Sequence, residues 1–256
     1  MSEPLPLSLC VITRDAAAQL ADCLASASFA GEIVVVDSGS RDDTVEIARR
    51  SGARVVAHDW AGFGAQKNFA VGNARHDWVL CLDADERLTP ELRASIEAAM
   101  RAPAERRAAA YAMARRNRFL GVWLRHGEGY PDWNTRLFDR RRARWTEDPV
   151  HEHVVAEGAV ARLAGDLLHE SAESLEAYLA KQNRYTSLQA QAMHARGERA
   201  GMARLVLSPL VRFVRFYVVK LGFLDGAAGF AHIAIGCFNS FAKYAKLRAL
   251  AAESRR

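Results

Sequence analysis

The sequence predicts an α/β protein: a doubly wound sheet followed by a helical extension. Three features predict it. Short apolar runs end abruptly in acids, helical patterns lie between them, and this alternation disappears from about residue 172 onward. Leu7 to Thr13 is a strand with a β-branched end, and alanine-rich Ala16 to Ala27 has the spacing of a helix. Ile33 to Val36 is a continuous β-branched run, of the kind buried on both faces of a parallel sheet. It stops at Asp37-Ser38-Gly39-Ser40. Asp42 or Asp43 caps the helix carrying Val45, Ile47 and Ala48, and Gly52 ends it before a strand at residues 53–57. A helix follows from about Gly64 to Gly72, then the strand Trp78 to Leu82, which runs into Asp83-Ala84-Asp85-Glu86. Thr89-Pro90-Glu91 opens the next helix with a cap and a proline at its first position. Four β-α units in this span place a ligand beyond the carboxyl ends of the strands.

Composition narrows the class. The 256 residues are half apolar and 25% charged, which excludes a disordered or collagen-like chain. Cys10, Cys23, Cys81 and Cys237 form no Cys-x-x-Cys pair, against a zinc ribbon or disulfide framework and in favour of a reduced setting. An acid and two prolines precede the first apolar run, so no secretory leader is expected and the expected location is cytoplasmic. The net charge of +5 is unevenly spread: from Arg204 onward the balance is +7, leaving −2 for residues 1–203. Basicity confined to a tail, without a recognition helix or stacking motif, argues against nucleic acid as a partner.

The acids supply the chemistry. Asp37 and Asp83 each end an apolar strand, and Asp85 lies two residues on, projecting to the same side as Asp83 in extended backbone. Carboxylates gathered on one edge repel, and a divalent cation relieves that repulsion. Mg²⁺ or Mn²⁺ takes one or two carboxylates beside phosphate oxygens, so the pattern calls for a phosphate-bearing substrate. Gly62-Phe63-Gly64-Ala65-Gln66-Lys67 is no dinucleotide fingerprint, since Lys67 stands where a third glycine or alanine belongs.

The strand Leu9 to Thr13, VVVDSGSRDDT at 34–44, GFGAQKNFA at 62–70 and VLCLDADERL at 79–88 together resemble the family 2 glycosyltransferases of GT-A fold, over roughly the first 150 residues, which implies a Rossmann-like, doubly wound mixed sheet. Thr146-Glu147-Asp148, Val150-His151-Glu152 and the basic, apolar tail continue the resemblance toward enzymes that transfer glucose to the inner core of lipopolysaccharide. The family's opening amide and acid are Asp15 and Ala16 here, so Asp15 is given no role. The resemblance implies an inverting transfer from a UDP-sugar, with UDP-glucose the expected donor and a lipid-linked saccharide, such as an inner-core heptose, the acceptor. Another cell-envelope glycan or a polyprenyl phosphate is the alternative acceptor. It also implies that Asp37 accepts a hydrogen bond from uracil, Thr13 lines the nucleotide pocket, Asp83 lies near ribose and metal, and Asp85 ligates Mg²⁺ or Mn²⁺. Lys67 either approaches the nucleotide phosphates or is a solvated helix residue. Asp148 is the first choice for the base and Glu152 the second, with surface ion pairs to Arg140, Arg141, Arg142 and Arg144 as the other reading of these acids. His151 orients an acid, contacts acceptor or diphosphate, or is structural; His151 and His153 lack the spacing of a zinc helix. At most one of Trp123, Trp133 and Trp145 is expected to stack on sugar. A nucleotidyltransferase would need a glycine-rich loop where Thr13-Arg14-Asp15-Ala16 stands, and a binding module without chemistry would not need the acid set.

Residues 1–170 are thus the expected catalytic domain and 171–256 a helical appendage. Leu175, Tyr178, Leu179, Gln182, Tyr185 and Leu188 keep helical spacing, Ser208-Pro209 is read as a helix start, and a glycine-interrupted stretch leads to a second run at 227–242. Sixteen residues are short for a membrane span. Basic residues interleaved with Phe, Leu and Tyr suit a helix lying on an anionic membrane surface, at the inner face of the cytoplasmic membrane; packing on the catalytic domain or a partner chain is the other reading.

Overall fold

The computed structural model describes residues 4–148, 152–171 and 174–254. The chain divides into two compact units: Met1–Arg115 with Asp132–Glu170, and Arg116–Pro131 with Ser171–Arg256.

The first unit follows the alternation read from the sequence. In chain order it contains β1 (Leu5–Thr13), α1 (Ala17–Ser26), β2 (Ala30–Asp37), α2 (Thr44–Arg50), β3 (Arg54–Ala57), α3 (Phe63–Gly72), β4 (Trp78–Asp83), β5 (Glu86–Leu88) and α4 (Pro90–Arg101). Then come β6 (Ala110–Phe119), which runs on into the second unit and pairs there with β7 (Val122–Trp123), followed by β8 (Asp132–Asp139), β9 (Ala143–Trp145), β10 (Val154–Ala156) and β11 (Val160–His169). The main sheet has the order β3-β2-β1-β4-β8-β6-β11-β5. Its first four strands are parallel, while β8 pairs antiparallel with β4 and β6, and β11 antiparallel with β5. β9 and β10 form a separate antiparallel pair.

Strand alternation divides the core. Leu7, Leu9 and Val11 of β1, Val35 of β2, and Leu80 and Leu82 of β4 pack with Leu20 and Leu24 of α1 and with Leu92 and Ile96 of α4. Cys10, Val34, Val36, Val79 and Cys81 face the other way, with Ala70 and Val71 of α3 and with Phe138 and Trp145. The period of two therefore sends Asp37, which follows Val35, to the α1 side and Asp83, which follows Cys81, to the α3 side.

The caps largely match the sequence. Thr89 caps α4 by accepting from the Leu92 N–H, with Pro90 at the first position. Asp42 rather than Asp43 serves the start of α2, accepting from the Thr44 N–H at 3.0 Å, and its second oxygen takes the Ala17 N–H of α1 at 3.1 Å. One carboxylate thus satisfies orphan donors of two helices.

In the second unit lie α5 (Leu175–Ala195), α6 (Met202–Phe213) and α7 (Gly226–Glu253), with a wide helical turn at Val214–Val219 and a 3₁₀ turn at Gly222–Asp225 between the last two. The helix start read at Ser208-Pro209 is displaced: α6 begins at Met202 behind an extended Gly201, and Pro209 lies inside it. Helix formers on both sides carry the helix through the one lost N–H bond.

At the amino-terminal end of the sheet, Glu32 is 8% exposed and faces Ser8 across the ladder. It accepts from the Ser8 hydroxyl at 2.6 Å, the Arg75 N–H at 2.7 Å and the Arg54 guanidinium at 3.1 Å. Burial pushes the Glu32 carboxyl up, but these donors outweigh it and hold it below the ordinary glutamate value. Its charge therefore stabilises the fold above that ordinary value, about 4.3, and the contribution is lost as pH falls through the lower folded value. Glu32→Gln should cost about 1–3 kcal/mol at neutral pH, read from the urea midpoint, and the gap to the unsubstituted chain should shrink below pH ~4.

Candidate active site

The carboxyl ends of β1, β2 and β4 lie side by side, with Thr13 registered against Asp37 and Ile12 against Asp83. What gathers around them is set by α3. Gly62 enters this helix at φ +97°, a conformation that favours glycine, and a Cβ on Gly64 would collide with the Thr146 carbonyl oxygen. With that approach open, Asn68 pairs with the Trp145 backbone in both directions, donating to its carbonyl at 3.0 Å and accepting from its N–H at 3.1 Å. Gln66 is fully buried, donates to the Ser38 hydroxyl at 2.9 Å and bonds the His58 ring at 2.8 Å, fastening the loops after β2 and β3.

Between those two anchors stands Lys67, 5% exposed. Its ammonium meets Asp83 at 3.0 Å and Glu152 at 3.1 Å, and lies 4.5 Å from the Trp145 ring centroid. The second oxygen of Asp83 takes the Arg136 guanidinium at 2.7 Å, and the same Arg136 nitrogen reaches Glu86 at 2.6 Å. Arg136 is 3% exposed and Glu86 fully buried. Glu86 also accepts the Asp83 N–H at 3.0 Å, closing the turn after β4. Burial pushes the Asp83 carboxyl up, but Arg136 and Lys67 outweigh it and hold it well below the usual carboxylate range. Burial opposes the charge on Arg136, and Asp83 and Glu86 restore it. The carboxylate form of Asp83 is thus the favoured one.

Asp85 faces a different partner: its carboxylate lies 3.2 Å from Nε2 of His169, at the end of β11, with 28% and 24% of the two side chains exposed. Asp37 is 6% exposed, and its oxygens accept from the Thr13 hydroxyl at 3.1 Å, the Gly39 N–H at 3.0 Å, the Ser40 N–H at 2.9 Å and the Ser40 hydroxyl. Those bonds use the four acceptor positions of a carboxylate, so here Asp37 shapes the loop at 38–40 rather than presenting a free edge. The mutual repulsion expected of Asp37, Asp83 and Asp85 is replaced by separate partners for each. Asp148 is an exposed side chain 4.0 Å from His153, while Glu152 is drawn in beside Lys67. His151 lies outside the described residues. Trp145 is a buried wall of the cation cluster, and Trp133 is 38% exposed under the Arg162 guanidinium.

Residues 8–161 match the sequence model of glycosyl transferase family 2. The chain belongs to that family. It is 31% identical, over 96% of its length and 93% of the relative's, to the lipopolysaccharide core biosynthesis glycosyltransferase LpsC of Rhizobium meliloti (strain 1021). Among solved structures, S. aureus TarS 1–349 in complex with UDP-GlcNAc is similar at 14% identity and a TM-score of 0.48, covering 97% of this chain and 91% of that one. Mycobacterium tuberculosis glucosyl-3-phosphoglycerate synthase with Mn²⁺, UDP and glucosyl-3-phosphoglycerate is similar at 21% identity and a TM-score of 0.35, covering 44% and 43%. The glycosyltransferase has the mixed, Rossmann-like sheet and helical C-terminal region expected of the GT-A class.

Three residues of this cluster escaped the sequence reading. Glu86 follows the two aspartates directly, Arg136 is a lone cation inside the strand Asp132–Asp139 beside Leu137 and Phe138, and His169 ends the apolar strand containing Leu167 and Leu168. Glu86 and His169 stand at strand ends beside apolar residues, which was the available signal for them; Arg136, inside its strand, offered only a charge next to Leu137 and Phe138. Arg136→Met should cost about 3–5 kcal/mol, because it strands Glu86 and half of Asp83 in a buried setting. Lys67→Met leaves Arg136 on Asp83 and should cost clearly less; paired chemical denaturation curves check the order.

Proposed function

We propose that this glycosyltransferase inverts the anomeric centre of a UDP-sugar, with UDP-glucose as donor and a lipid-linked saccharide of the lipopolysaccharide inner core as acceptor, at the cytoplasmic face of the membrane. The observation that carries it is the cluster at the end of β4: Asp83 held between two buried cations, with Asp85 and His169 beside it. The 31% identity to LpsC supports the choice of acceptor class.

In this reading Thr13 and Asp37 form the floor under uridine, Asp37 by fixing the backbone at 38–40. Lys67 meets the negative charge of the diphosphate, and Glu152 and Asp83 fix its ammonium against the Trp145 face. The donor set fits a divalent cation. Asp85 and His169 offer one oxygen and one nitrogen close together, and Mg²⁺ or Mn²⁺ completes such a set with water and phosphate oxygens; the imidazole favours Mn²⁺. Among the described residues no cluster of three or more His, Cys, Asp or Glu is set to hold a metal without a substrate. When bound, the cation neutralises charge on the leaving diphosphate. The acceptor hydroxyl gives its proton to a carboxylate as it attacks. Asp148, exposed and clear of Lys67, is that base, and Glu152, whose carboxylate is already paired with the Lys67 ammonium, is the second candidate.

Calorimetry against UDP-glucose, UDP-galactose, UDP-GlcNAc and GDP-mannose, with and without Mn²⁺, tests the donor. Binding of UDP-glucose strengthened by Mn²⁺ supports the reading, and a preference for GDP-mannose overturns the donor assignment. Asp85→Asn and His169→Ala should both lose the Mn²⁺-dependent increment while staying folded. Asp148→Asn should lower turnover about 10²–10⁴-fold with donor binding retained. If Glu152→Gln behaves so and Asp148→Asn does not, the base is Glu152.

A further inference from the structure

In the second unit the usual orientation of an amphipathic helix is reversed. No residue of α6 is buried, and Val206, Leu207, Leu210, Val211, Val214 and Val218, at three-to-four spacing, form an outward stripe with each side chain half or more exposed. Two polar residues turn inward. Ser208 bonds Ser240 of α7 at 2.7 Å, and Arg212 makes a two-pronged ion pair with Glu128, bonding Oε2 through Nε at 3.1 Å.

The buried side of α7 combines small residues, Ala228, Gly229, Gly236 and Ser240, with Ile233 and Leu247, and a Cβ on Gly236 would come within 2.6 Å of the Glu128 carboxylate. Contacts of Arg204 with Tyr244, Ser208 with Ser240 and Tyr217 with Phe230 run the two helices back along each other. Phe230, Phe238 and Phe241 continue the outward apolar surface on α7. Small residues and polar bonds between helices, with bulky apolar groups outside, suit surroundings of hydrocarbon rather than water. Among the described residues no single helix is long and apolar enough to cross a membrane; Met202–Val219 and Gly222–Glu253 pass that test only together, as a bent pair.

Charge names the occupant. Between residues 199 and 252 the one acid is Asp225, whose carboxylate is 5% exposed and bonded to His126 at 2.8 Å. Lys246 is drawn inward, donating to Asn183, Thr186 and Ser187 of α5. Arg204, Arg215, Lys220 and Lys243 remain around the apolar surface, two near the bend between the helices and two at the opposite end. Resting on the membrane-side reading above, we infer that the outward face of α6 and α7 sinks into the acyl layer of one leaflet, with these four cations among anionic headgroups. This is a hydrophobic anchor with an electrostatic rim, where the interleaved cations and aromatics of the sequence left insertion and surface attachment both open.

The test uses the full chain and vesicles of phosphatidylcholine alone or with phosphatidylglycerol. With Cys237→Ser removing the one cysteine that is not buried, Val211→Cys and, as control, Glu176→Cys on exposed α5 carry an environment-sensitive fluorophore. The expected results are binding to both vesicle types that persists at about 1 M NaCl, where the Debye length is about 3 Å, and quenching by acyl-chain nitroxides at 211 but not at 176. Leu207→Glu with Val211→Glu should reduce vesicle partition at least about tenfold, with circular dichroism and melting temperature unchanged. Binding that salt reverses, with the 211 probe left in water, overturns insertion while leaving the membrane-surface reading intact. No binding to any vesicle overturns both. A 211 probe shielded without lipid, in a particle of doubled mass, assigns the face to a second copy and overturns the inference.

Discussion

The first unit depends on balancing two carboxylates, Asp83 and Glu86, that strand geometry carries into a largely buried edge. Arg136 and Lys67 supply the balance, and much of the surrounding structure exists to place them. An ammonium 5% exposed has to be delivered by a helix whose neighbours are also committed inward, and α3 is such a helix. Gln66, Lys67 and Asn68 are consecutive, so they point around the helix at about 100° intervals, and each meets a different wall: the loop after β2, the acid cluster and the Trp145 backbone. A helix with polar anchors on every side cannot be amphipathic. It is held by specific bonds and by the absence of a Cβ at Gly64.

This explains what the sequence revealed and what it withheld. Strand runs with a period of two or of unbroken β-branching, and helices with ordinary caps, were legible, because their signals are local: the strands ending at Thr13, Asp37 and Asp83, and α4 behind Thr89-Pro90, lie where pattern and capping put them. The antiparallel half of the sheet was expected only as part of a mixed GT-A sheet and not strand by strand, since the strand Ala110–Phe119 carries three arginines and the strand Asp132–Asp139 mixes Asp, Asn, Thr and Arg with its apolar residues. Their pairing is non-local and leaves little periodicity to read. The acids were found by position, but not their partners. Arg136 reaches Asp83 from a strand more than fifty residues on, and His169 reaches Asp85 from one more than eighty on; no spacing rule encodes either.

The two units bury polar groups for opposite reasons. In the first, apolar side chains fill both faces of the sheet and buried ionised groups are admitted at its two ends against opposite charges, Glu32 with Arg54 at one and Asp83 and Glu86 with Arg136 and Lys67 at the other. In the second, Ser208 and Arg212 of α6 turn inward to Ser240 and Glu128, beside the ring contacts of Phe213 and Tyr217 with Phe230, while a stripe of Val and Leu points away. Water would reward the reverse arrangement, because a half-exposed Val or Leu gives up much of the gain of burial. Helical period alone could not distinguish the two, since it reports that an apolar stripe exists and not which way it turns.

The same charge accounting separates Asp83 from Asp85. A carboxylate already shared by a guanidinium and an ammonium gains little from a further cation, and Asp83 is in that position. Asp85 has an imidazole as its described neighbour, a group that lends a proton or a lone pair but no permanent charge. Two aspartates separated by a single residue thus differ in kind: Asp83 holds Arg136 and Lys67 in register, and Asp85 faces the His169 imidazole.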